Sequence, residues 1–248
     1  ILLTVTRLPE HGRRERLGPL ALLRVSRLGT LGCLFTGVAQ GALFAMGAVY
    51  GRGIGLTVAQ VSLLMATVIL GGAVAQWPLG MASDRLDRRR VIVAVAFAGV
   101  VAAGAAVLVQ AVSFAALLAA MALVGAACLT LYSLFNAHTN DRLRQEHRVA
   151  ASSGLILFFG IGAVLGPPAG GWLMARAGPS GLLLFIGAML ALTGAFALYR
   201  RLHGKPVPAT ARTHYIAVAA RTPELTAAMV EDPEQLAAEA AGGTENRE

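Results

Sequence analysis

Six long apolar runs, at 28–50, 58–79, 91–110, 114–135, 149–174 and 181–199, contain no Asp, Glu, Lys or Arg. A helix rises ~1.5 Å per residue, so about 20 apolar residues cross the ~30 Å hydrocarbon layer of a bilayer. Each run is of that length. The third and fourth are separate helices, because nothing ionisable stands between Arg90 and His138 and one helix over that stretch would reach ~70 Å at ~1.5 Å per residue. The chain is expected to turn back at Gln110 to Ser113. The fold class is therefore all-α: a polytopic membrane bundle of six transmembrane helices.

Composition excludes the alternatives. With 56% hydrophobic and 14% charged residues and a mean hydropathy of +0.66, the chain carries more apolar surface than one soluble core buries. A membrane barrel would alternate polar and apolar residues in segments of about 10, and these runs are apolar all round. A cleaved signal peptide would stand alone at the N-terminus, whereas the runs recur along the chain. Cys33 and Cys128 lie inside apolar runs as packing residues and build neither a disulfide framework nor a metal site.

The net charge of +8 points to topology rather than to nucleic acid, because the basic residues sit in short connectors and form no stripe. One side carries sixteen: Arg7, Arg13, Arg14, Arg16, Arg24, Arg27, Arg85, Arg88, Arg89, Arg90, Arg142, Arg144, Arg148, Arg200, Arg201 and Lys205. The other carries Arg52 and Arg176 only. That asymmetry places both ends of the chain in the cytoplasm, in a multi-pass protein of the cell's inner membrane. Residues 1–27 are expected to hold the end of a preceding span, at Ile1 to Val5, and a cytoplasmic connector, which makes the chain a fragment. Residues 200–248 are expected to be a largely disordered cytoplasmic tail, with a short helix near 223–230.

A shift of 90 residues brings Gly72, Pro78 and Gly80 onto Gly162, Pro168 and Gly170, and the spans repeat as three plus three. Three crossings per copy force the copies to be inverted in the membrane.

After the second span the chain reads Gly80-Met81-Ala82-Ser83-Asp84-Arg85-Leu86-Asp87-Arg88-Arg89-Arg90. This resembles the cytoplasmic signature loop of the major facilitator superfamily (MFS), with Asp87 where that loop usually has its second Gly. Gly162, Gly166-Pro167 and Gly170-Gly171 in the fifth span look like the family's Gly-Pro helix motif. Gln76-Trp77-Pro78-Leu79-Gly80 is most similar to the family's uncharacterised YcaD-type branch. The resemblance implies the C-terminal half of a twelve-span secondary transporter, whose partner would be the missing N-terminal half of the same protein.

Candidate roles follow. Gly80, Asp84, Arg85 and Arg88 form a gating loop, in which Asp84 is suited to cap a neighbouring helix N-terminus and the arginines to bond across a closing gap. The bland alternative, strongest for Arg89 and Arg90, is a set of topology signals facing anionic headgroups. Asp87 is expected to tolerate a left-handed turn. Gly162, Gly166 and Gly170, four residues apart, form a groove for close helix contact, while Pro167-Pro168 removes two donors and gives either a bend or a hinge. The family's first and fourth spans in this half line its cavity, so Gln40 with Phe44, and Tyr132 with Asn136, are substrate candidates; each could instead bond a neighbouring helix. His138 and His147 are expected to be solvated in a loop.

No charge lies in any span, so a proton-coupled mechanism needs its titrating group elsewhere. The expected activity is alternating-access transport of a small, uncharged or hydrophobic organic solute, a class that includes exported drugs. No nucleophile–base pair, ligand cluster or cofactor motif supports an enzyme. The remaining alternative is a non-transporting membrane protein, either a sensor or a self-pairing half-size protein.

Overall fold

The computed structural model describes residues 22, 23, 25–143 and 145–203. The segments expected at Ile1 to Val5 and at 223–230 lie outside them. Among the described residues there are six long helices and no strand: α1 (Arg27–Gly53), α2 (Val58–Arg85), α3 (Arg88–Val109), α4 (Phe114–Asn140), α5 (Gln145–Ala177) and α6 (Gly181–His203). All six are long and apolar enough to cross a membrane.

Local chemistry sets the helix ends. Ser26, Thr57, Asp87 and Ser113 each accept a backbone N–H of the first turn of the helix that follows. Thr57 and Gln60 complete a reciprocal capping box. Gly55 (φ 88°) and Gly178 (φ 74°) take the left-handed conformation in two of the connections at one end of the bundle. The turn between α3 and α4 falls at 110–113, where the missing charges demanded it.

Most helices outrun their apolar spans at the arginine-rich end. α2 continues to Arg85, α4 to Asn140 and α6 to His203, while α3 begins at Arg88 and α5 at Gln145. Backbone hydrogen bonding persists after the hydrocarbon layer ends, and long arginine side chains reach the interface from a helix. The signature segment is thus not a loop over its whole length. Gly80–Arg85 is the last stretch of α2, and only Leu86 and Asp87 separate it from α3.

Packing follows the three-plus-three plan. α1 packs most extensively on α5, and α2 next most on α4; exchanging α1 with α4 and α2 with α5 turns one pair into the other. Both pairs run parallel and meet through glycine. A Cβ on Gly162 or Gly166 would enter the carbonyl oxygen of Leu34 or Val38 on α1, and one on Gly37 or Gly41 would enter that of Phe159 or Ala163 on α5. On the other pair, Gly71 faces the carbonyl of Ala122 and Gly125 that of Val68. Gly170 is looser, with Ala42 Cβ 3.1 Å from its added Cβ. Backbones approach this closely only where neither helix carries a side chain at the crossing. α5 remains helical through Pro167 and Pro168.

The glycine crossings generate a matched prediction. Gly166→Ala is expected to destabilise the bundle by about 1–3 kcal/mol through overpacking. Gly104→Ala meets open space and should be neutral or stabilising by up to ~1 kcal/mol from helix propensity. Thermal melting of the two variants in one detergent checks the ordering.

Candidate functional site

At the arginine-rich end a charged cluster is folded into the bundle. Arg88, the first residue of α3, forms an ion pair with Asp141, its Nε 3.0 Å from Oδ2, and donates from Nη2 to Asp84 Oδ1 at 3.2 Å. Its side chain is 2% exposed, against 3% for Asp141 and 28% for Asp84. Asp84 is one turn earlier in sequence on α2, and Asp141 is the C-cap of α4, so one guanidinium ties three helices together. Arg89 adds a fourth by donating from Nη1 to the Arg200 carbonyl of α6 at 3.1 Å. A planar guanidinium with five donors suits such a junction, because one cation satisfies acceptors on several elements.

Several expectations are corrected here. The cap of α3 is made by Asp87, whose carboxylate accepts Arg89 N–H at 3.1 Å, while Asp84 pairs with Arg88. Asp87 has φ −65°, ψ 116°, an extended conformation open to any residue, so this connection needs no left-handed turn in place of the usual glycine. Arg88 faces inward to its two carboxylates; of the basic pair assigned to the gate, Arg85 alone is exposed. Gly80 is buried, and its carbonyl accepts the Ser83 hydroxyl at 2.8 Å. His138 is 3% exposed rather than solvated, because α4 continues past it, and His147 is half-buried in the first turns of α5.

Asp141 had no assigned role, although a signal existed. It is the one acidic residue between Asp87 and Glu146, in a connector that topology fills with arginine. Arg142 follows it outside the helix. Burial, and then the guanidinium groups of Arg89 and Arg200, lower the Arg142 pKa, and Asp141 acts in the opposite direction.

The cavity candidates separate into two kinds. Asn136 is buried and already satisfied, accepting the Ser152 hydroxyl of α5 on Oδ1 at 3.1 Å. Tyr132 is also buried, with its ring edge-on to Phe159 at 5.1 Å, but its hydroxyl has no hydrogen-bond partner. Gln40 and Phe44 are half-buried on α1. Gln40 Oε1 is unpartnered as well, as are the buried hydroxyls of Thr36 and Thr130. The antiparallel contacts of Gly29 with Thr139 and Gly32 with Phe135 set the α1–α4 register, which brings Thr36 to the level of Tyr132. Two spans of the same core, α1 and α4, thus hold polar atoms with nothing to bond, in the setting where an unmade hydrogen bond costs most.

At the opposite end Tyr50 OH donates to Gln110 Oε1 at 3.0 Å, and Gln110 Nε2 donates to Ser180 Oγ at 2.6 Å. This chain joins α1 to the α3–α4 and α5–α6 connections. Both ends of the bundle are therefore tied internally.

A bundle of six membrane-length apolar helices in two parallel glycine-packed pairs, with an acid–arginine–acid junction at one end, is consistent with half of a transporter fold. The chain belongs to the major facilitator superfamily, whose family model matches residues 28–234. It is 30% identical over 199 residues to an uncharacterised MFS-type transporter of Enterobacter sp. (strain 638), covering 80% of this chain and 50% of that protein. It is also 30% identical over 167 residues to the uncharacterised MFS-type transporter YcaD of Salmonella paratyphi B and of Salmonella newport, covering 67% of this chain and 42% of each relative. The chain spans about half the length of these relatives.

The arginine junction carries a test. Asp141→Asn and Asp84→Asn each remove one carboxylate from Arg88, and the more buried partner is expected to matter more. Breaking a buried pair costs about 3–5 kcal/mol and a partly exposed one about 1 or less. Melting temperatures should fall clearly for the first and little for the second.

Proposed function

We propose that the full-length protein is a secondary transporter of a small, uncharged or hydrophobic organic solute, in which this six-helix unit rocks against a second unit by alternating access. The observation that carries the reading is the set of unpartnered polar atoms on α1 and α4: Thr36 Oγ1, Gln40 Oε1, Thr130 Oγ1 and Tyr132 OH. A neutral solute with hydrogen-bonding groups would satisfy them without a counter-ion, and the central stretches of the spans carry no fixed charge that would select an ion. Asn136, already bonded to Ser152, serves the fold on this reading, and Phe44 supplies apolar wall beside Gln40.

The second unit is the N-terminal half of the same protein. Its docking faces are on α2 and α5, the least buried of the six helices, which expose Val74 (72%), Trp77 (73%) and Val164 (74%). The protein is one of the inner membrane with its arginine-rich end in the cytoplasm, an orientation that the charge asymmetry supports. Asp84 and Arg85, at the end of α2, are on this reading the residues of the gate that contact the other half, while Arg88 pairs with Asp84. Gly162, Gly166 and Gly170 are packing residues, and Pro167 and Pro168 sit in the same continuous helix.

The test is flux in vesicles containing the full-length protein, over a panel of neutral and charged organic solutes, with and without a pH gradient. Saturable flux of neutral solutes is expected. Gln40→Leu and Tyr132→Phe should each weaken apparent affinity about 2- to 10-fold, as loss of one net hydrogen bond of ~0.5–1.5 kcal/mol implies. Replacing Pro167 and Pro168 with Ala should leave transport intact; loss of flux in a folded protein would make them a hinge. Absence of flux for every solute would overturn the transport reading.

A further inference from the structure

We infer that the arginine-rich end holds a phosphate-binding site, formed by Arg89, Arg142 and Arg200 around His138. The three arginines come from α3, from the segment just after α4 and from α6. They are brought together by Arg89 Nη1 donating to the main-chain carbonyl of Arg200 at 3.1 Å and by the αR conformation of Asp141, which keeps Arg142 one turn beyond His138 on the same face. His138 lies within electrostatic range of Arg142, Arg89, Arg88 and Arg200.

Among the described residues of this corner, arginines outnumber carboxylates. Arg88 bridges Asp84 and Asp141, and Asp87 lies opposite Arg89. Among the described residues Arg142 and Arg200 make no ion pair, and Arg142 feels both other arginines as repulsion. His138 is 3% exposed, and its Nε2 has no hydrogen-bond partner. A buried ring nitrogen without a partner and like charges from three segments are each costly, and one bound anion, with His138 in the Nε2–H tautomer, relieves both. Guanidinium forks match phosphate oxygens, and basic pockets between membrane helices are suited to anionic headgroups. The shared chemistry is a phosphate group, supplied either by an anionic phospholipid or by free phosphate.

The experiment titrates the full-length protein in neutral detergent with phosphatidylglycerol, with phosphatidylcholine or with inorganic phosphate, and reads the melting temperature. A saturable rise with phosphatidylglycerol that exceeds the phosphatidylcholine effect assigns the lipid. A saturable rise with inorganic phosphate assigns the free anion. In either case Arg142→Gln and Arg200→Gln should each weaken the midpoint roughly fivefold, the equivalent of ~1 kcal/mol per arginine. Arg27→Gln removes an exposed charge from the same end and should leave the midpoint unchanged. If a Gln variant does not fold, His138→Gln is read in its place, and it should shift the midpoint in the same direction. Equal effects of Arg27→Gln and Arg142→Gln would mean diffuse charge attraction, and absence of saturation with every ligand would mean no site; either result overturns the inference.

Discussion

Hydrocarbon gives membrane helices no solvent reason to associate, so this bundle depends on backbone-to-backbone contact at two glycine-lined helix crossings. Gly37, Gly41, Gly162 and Gly166 join α1 to α5, and Gly71 and Gly125 join α2 to α4. At those points one helix lies against the carbonyl oxygens of its neighbour, and even a methyl group would enter the backbone. The polar groups of the core and of the α2–α4 end sit on helices held by that approach. The closely held α1 and α4 bring Thr36 to the level of Tyr132, and the α2–α4 pair sets the C-terminal ends of both helices where Arg88 can reach Asp84 and Asp141 at once.

The two ends then close the unit. Arg88 and Arg89 join α2, α3, α4 and α6 at one end, and Tyr50, Gln110 and Ser180 join α1 to two connections at the other. Buried ion pairs of this kind add little net stability over apolar packing, but removing one partner is costly, which makes them specific locks on one arrangement. A six-helix unit locked at both ends and packed through its middle is suited to move as a whole. Motion between units, rather than within this one, is the transport mechanism proposed for it.

Much of the fold was legible because the bilayer simplifies the problem. Charge-free runs gave the six helices and the α3–α4 turn at 110–113, since no other folding of 47 uncharged residues fits the membrane. Helix ends were less legible. Ending each span with its apolar run hid the extra turns of α2, α4 and α5, and with them the burial of His138. Hydropathy marks the hydrocarbon boundary, whereas the helix stops where capping and turn geometry stop it, as Asp87 does for α3. The repeat at a shift of 90 residues is not matched residue for residue, because the glycine that meets a main-chain carbonyl as Gly162 does is Gly71, while Gly72 meets the Leu129 side chain. At the candidate site the residue types were readable but their partners were not. Nothing in the sequence separates Asn136, bonded to Ser152, from Tyr132, whose hydroxyl is unbonded, because that difference arises from side-chain packing between α4 and α5.

The rigidity of the unit is open to direct measurement. Spin labels can be placed in pairs at the exposed positions Leu86 and Leu202 at one end and Val58 and Val112 at the other, in the full-length protein. Distances are then recorded by pulsed electron paramagnetic resonance under resting conditions and under those that drive transport. The account predicts one narrow distribution for each pair, unchanged between conditions. A shift of about one helical turn, ~5.4 Å, within either pair would contradict it, because the bundle would then be deforming rather than moving as one body.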